Sequence, residues 1–179
     1  MNALPSHVTR MLITALAFIF ELAHLGWEHT HGGVPAHHLL NSADLPAISN
    51  WWGLIVIPAL TWVLAGRIQR RLLQRGASTR AALGGFLGSV AYGAALAAAF
   101  AMNHEAVTYI FLGAFVLSLL LPTYRGEYIL GFVLAMTFTF GGVLPTLIAF
   151  VIAAFSRLMH WLFGTLWKLV RNGGAPRPL

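Results

Sequence analysis

Long apolar stretches separated by short polar ones set the pattern of the 179-residue chain. Apolar residues fill positions 8–27, 51–66, 81–102 and 106–121, then continue unbroken over 128–155. About 20 helical residues, rising 1.5 Å each, cross a hydrocarbon core of about 30 Å, so each of the longer stretches predicts a spanning helix. The last region is long for one crossing and short for two. Gly141, Gly142 and Pro145 suit a tight turn and predict helices over 124–140 and 144–163. The alternative is one long tilted helix over 128–158, which would give five helices in all. The expected fold is therefore all-α: a single polytopic transmembrane bundle over residues 1–179, with six helices. Gly84 and Gly88 lie four apart on the alanine-rich third helix, a spacing that lets backbones approach and predicts a central place for it. Beyond the sixth helix, Trp161, Phe163 and Trp167 mix with Arg157, Lys168 and Arg171, as in an amphipathic segment emerging through the headgroup layer. The first stretch carries Glu21 and His24 and lacks a small-x-small cleavage pattern, so it reads as a retained helix.

Composition strengthens this picture: 58% of residues are hydrophobic and 9% charged, against about 25% charged in soluble domains. The formal charge of +6 would suggest nucleic acid in a soluble protein. Here the basic residues occupy the short stretches between apolar runs, where they act as topology signals, so the expected partner is the bilayer and not nucleic acid. With six helices, all eleven Lys and Arg residues fall on one side, led by Arg67, Arg70, Arg71, Arg75 and Arg80 in a basic loop over 67–80. That side is expected to be cytoplasmic, with both termini there and the chain in an inner membrane. Cysteine is absent, which excludes disulfides, thiolate metal sites and a cysteine nucleophile.

Acids and histidines sort the other way. Four of five acids and six of eight histidines lie at the expected outer face, in the first helix and in two outer loops over 28–50 and 103–105. Glu21, His24 and Glu28 stand at i, i+3 and i+7, on one helix face. A carboxylate below a membrane surface is costly unless paired, which marks Glu21 as a functional candidate. His29, His31, His37 and His38 surround Gly32, Gly33 and Pro35, which let the chain fold back, and with Glu105 they form a candidate ligand set for zinc, iron, copper or manganese. Glu21 and Glu28 are the expected catalytic carboxylates, as further ligands or as the base for a metal-bound water. The same residues also suit a solvated, pH-sensitive connection, a structural Glu21–His24 pair, and polar turn residues at His104 and Glu105.

The segment Glu21-Leu22-Ala23-His24 resembles half of the paired Glu-x-x-His arrangement of di-iron carboxylate bundles, without a second copy. The loop histidines are faintly similar to the boxes of membrane di-iron hydroxylases and desaturases, but those are spread over several segments facing the cytoplasm, so no ligand set is carried over. Three functions follow as expectations. The first is a membrane metalloprotein, oxidoreductase or hydrolase, acting on a membrane-soluble or periplasmic substrate. The second is an electron-transfer subunit with haem b between His24 and His104. The third is a non-catalytic subunit of a larger complex or homo-oligomer, or a metal or proton carrier.

Overall fold

A computed structural model of the chain describes residues 6–38, 44 and 46–173; Arg177 lies outside them. Six helices follow the six expected stretches: α1 (Ser6–Thr30), α2 (Gly53–Arg75), α3 (Thr79–Ala101), α4 (Ala106–Leu120), α5 (Gly126–Phe140) and α6 (Val143–Gly173). Between α1 and α2 a short antiparallel hairpin pairs β1 (Ala36–His38) with β2 (Ala47–Ser49), and a 3-10 turn over Asn50–Trp52 leads into α2. The five-helix alternative is excluded. Gly141 has φ +68°, a conformation glycine adopts without strain, and its N–H caps α5 on the Thr137 carbonyl at 2.8 Å.

The protein is a multi-pass membrane protein. Four helices (α1, α2, α3 and α6) are long and apolar enough to cross a membrane. At 15 residues each, α4 and α5 reach only about 22 Å. Large apolar side chains such as Leu16, Leu87, Val116 and Leu120 point outward and exposed, which a bilayer solvates and water would not.

Several boundaries differ from the sequence expectation. The basic loop over 67–80 is mostly helix, because Arg, Gln and Leu are good helix formers and α2 continues through them to Arg75. Only Gly76, Ala77 and Ser78 connect α2 to α3: Gly76 is left-handed at φ +58°, and Ser78 caps α3 by accepting from the Ala81 N–H. Glu28 and His29 belong to the last turn of α1 and not to a loop. The C-terminal amphipathic segment is a continuation of α6.

The central helix is α5, not α3. Helices α2, α3 and α6 all pack on α5, α1 packs on α2, and α4 on α6. Leu130, Phe132, Val133 and Met136 are buried on several faces of α5. The close approach between α3 and α5 uses Gly85 and Gly93 facing Tyr128 and Phe132, with Gly131 facing Ser89 and Phe86. Gly84 and Gly88 instead have open space where a Cβ would stand, because they lie a helical step away from that interface.

Contacts fix which ends lie together. Arg10 of α1 donates to the Trp62 carbonyl of α2 at 2.8 Å, Arg71 of α2 pairs with Glu127 of α5, and Tyr124 meets His160 of α6. This is the arginine end. At the opposite, histidine end, His24 meets Phe138, His37 meets Phe140, and Phe100 meets Phe140. The short α5 thus runs from one end to the other, and so does α4, because the Leu121 carbonyl just past its end accepts from Ser156 of α6, one turn before His160.

Candidate functional site

The histidine end holds a buried cluster centred on α1. One-face spacing places Glu21, His24 and Glu28 inward, and the surrounding helices cover them, leaving the residues 0%, 4% and 7% exposed. His24 stands between two carboxylates: Nδ1 lies 3.8 Å from Glu21 Oε2, and Nε2 lies 3.3 Å from Glu28 Oε1. Phe20 and Phe138 flank its ring, with centroids at 6.5 and 5.2 Å, and shield it from water.

Other elements complete the cluster. Asn50, buried just before α2, donates from Nδ2 to Glu28 Oε1 at 2.7 Å. The Asn50 backbone N–H donates to the Pro35 carbonyl at 3.0 Å, which ties this residue to the start of the hairpin. Three glycines make room. A Cβ on Gly53 would overlap the Glu21 carboxylate, one on Gly141 would overlap the Asn50 amide, and one on Gly142 would press on Ile57 and Gly53. His37, on β1, is half-buried against Phe140. Burial pushes its imidazole below the usual histidine range, and the nearby Glu28 carboxylate opposes that shift.

Apart from these charge contacts, many of the cluster's polar atoms lack a hydrogen bond. Both oxygens of Glu21, both ring nitrogens of His24, Oε2 of Glu28 and Nε2 of His37 are buried without a hydrogen bond among the described residues. Such atoms are normally satisfied, so their concentration around one imidazole marks a place for a cation, a proton or water. The His24–Glu28 separation fits shared coordination. Two N/O donors at about 2.0–2.1 Å from one tetrahedral ion stand about 3.3 Å apart, close to the observed 3.3 Å.

The other expected ligands are placed differently. His29 is exposed in the last turn of α1. His31 is exposed and stacked on Trp27, with Nδ1–H donating to the Trp27 carbonyl at 2.8 Å. His37 and His38 are neighbours on a strand and point to opposite faces, so His38 is exposed while His37 turns inward. His104 is exposed, its Nδ1 accepting from the Ala106 N–H at 3.0 Å, and Glu105 beside it is exposed. The four loop histidines therefore share an end but do not converge. His24 is buried with its two nitrogens facing Glu21 and Glu28, whereas His104 is exposed. Among the described residues, no group of three or more His, Asp or Glu side chains is already arranged to hold a metal ion.

Glu21, His24, Glu28 and His37 stand out in the sequence, whereas Asn50, Gly53 and the second role of Gly141 and Gly142 do not. Only the Asn50-Trp51-Trp52-Gly53 juxtaposition, polar and flexible residues at the mouth of an apolar helix, hinted at them. No family model, no curated protein and no solved structure matches the chain.

Proposed function

We propose that the protein is a membrane metalloprotein whose ion is bound by the buried cluster, with His24 Nε2 and Glu28 as ligands and His37 Nε2 closing onto them. The observation that carries this reading is the set of buried oxygens and nitrogens around His24 that make no hydrogen bond. Two carboxylates buried beside a single imidazole leave negative charge that a cation would balance. Imidazole and carboxylate donors without thiolate suit zinc, iron, copper or manganese. In this reading the histidine end faces away from the cytoplasm across an inner membrane, and the arginine end faces inward.

Each residue then has a task. Glu21, whose Oε2 faces His24 Nδ1 at 3.8 Å, would favour by its charge a proton on Nδ1, which leaves Nε2 for the ion, as carboxylates behind metal-bound histidines do. Asn50 orients Glu28 through its 2.7 Å hydrogen bond. Phe20 and Phe138 exclude water from the imidazole. A bound transition ion would supply Lewis acidity or electron transfer at this place. His37 also lines an apolar cavity of about 590 Å³ with Phe100, Phe111, Met136 and Phe140. That continuity supports a membrane-soluble substrate, reached through the bundle, for an oxidative or hydrolytic reaction.

Elemental analysis tests the proposal. After exchange against a weak chelator, purified protein is expected to keep about one transition-metal ion per chain. His24→Ala and Glu28→Gln should each lose at least nine-tenths of it while retaining helical circular dichroism. Wild-type protein that is folded but metal-free, even after incubation with each of the four ions, would overturn the reading and leave the cluster as a proton-binding site.

A further inference from the structure

At the arginine end, a cavity of about 390 Å³ opens where the last turns of α2 meet the start of α5. Arg67, Arg70, Arg71, Arg75 and Arg125 line it, with Glu127 as the only acid. Arg67, Arg71 and Arg75 recur every four residues, and Arg70 lies beside them, so α2 presents them along one face. Glu127 is buried and holds the Arg71 Nη2 at 2.6 Å, which anchors one guanidinium in the wall. Among the described residues, the side chains of Arg67, Arg70, Arg75 and Arg125 have no hydrogen bond or ion pair with the protein. The cavity thus faces its opening with an excess of unneutralised, forked donors, the geometry that recognises phosphate.

Topology alone does not require this arrangement. Lysines in a loop would serve as well, whereas these groups are arginines on helix ends, gathered around a concavity.

A second feature says which phosphate. An apolar groove of about 720 Å³ runs between α1 and α3 over α2 and α5, and it shares Ile68 and Glu127 with the basic cavity. Its α1 wall runs from Thr9 to Phe20, about 16 Å of helix, which matches one leaflet of a hydrocarbon core of about 30 Å. Ile13, Leu16, Leu83 and Leu134 give it a hydrocarbon lining. A free phosphate ion would use the arginines and leave the groove unexplained.

We propose that the arginine end binds an anionic glycerophospholipid, its phosphate among Arg67, Arg70, Arg71, Arg75 and Arg125 and an acyl chain in the groove between α1 and α3. Juxtamembrane basic pockets between helices recognise headgroups in this way. The site lies at the opposite end from the metal cluster and does not depend on it.

The test uses the full chain in nanodiscs of phosphatidylcholine with a minor fraction of phosphatidylglycerol, released into native mass spectrometry. Wild-type protein is expected to retain phosphatidylglycerol at least tenfold over its share of the disc. Arg67→Ala/Arg70→Ala should abolish that enrichment, Arg67→Lys/Arg70→Lys should keep part of it, and Arg80→Ala, which lies outside the cavity, should leave it intact. Leu83→Trp, which narrows the groove, should reduce lipid retention without changing binding of inorganic phosphate. Equal retention of both lipids by the wild type would overturn the proposal. So would removal of the bound lipid by millimolar inorganic phosphate, which would identify the cavity as a site for the free ion.

Discussion

His37 illustrates how a single side chain reports on its surroundings. Its imidazole is pushed down from the ordinary value of 6.5 by burial, so it stays neutral in the fold while its counterpart in the unfolded chain protonates. Between the folded and unfolded values the unfolded chain binds more protons, and stability must fall as pH drops through about 6.5 and below. Thermal unfolding in detergent should therefore show a steeper loss of Tm from pH 7.5 to 5.5 for the wild type than for His37→Gln; parallel slopes would deny the burial of His37. Gly53 makes a second residue-scale prediction. Gly53→Ala drives a methyl group into the Glu21 carboxylate and should cost about 1–3 kcal/mol by overpacking. Gly88→Ala, with open space at its Cβ, should be neutral or stabilise by up to about 1 kcal/mol through helix propensity. The shared face of Glu21, His24 and Glu28 was legible in the sequence because helical spacing alone determines it. Asn50 and the three glycines were not, because their roles come from packing between segments far apart in the chain.

At the scale of elements, α2 and α5 depend on each other through one ion pair. Glu127 is 3% exposed, so removing Arg71 would leave a buried carboxylate unpaired. Arg71→Ala should destabilise the protein by about 3 kcal/mol, the low end for a broken buried pair because Arg71 itself is partly exposed. Glu127→Gln in the same background should recover much of that loss, and a double-mutant cycle measures the coupling. The division into α5 and α6 could be read from Gly141-Gly142 ahead of Pro145, since backbone conformation limits what such a sequence can do. The extent of α2 could not, because Arg67 to Arg75 satisfy helix propensity and the charge pattern of a loop equally well. The loop histidines failed to converge for a related reason: adjacency on a strand separates His37 from His38, and the spacing alone did not reveal that strand.

For the molecule as a whole, the contacts place the start of α1 and the passage of α6 at the same end. Because cysteine is absent from the chain, single introduced cysteines provide a clean probe. In sealed vesicles Ser78→Cys and Thr165→Cys should react with an impermeant maleimide from one side, and Ala36→Cys and Met102→Cys from the other. A different grouping would break the end-to-end arrangement of all six helices. The buried cluster, and not the exposed histidines, is the proposed place of the metal ion. Competition titration against a chromophoric chelator on the triple variant His29→Ala/His31→Ala/His38→Ala tests it most directly. One ion per chain is expected, with affinity within about threefold of the wild type. Loss of the ion in this variant, together with its retention in His24→Ala, would contradict it.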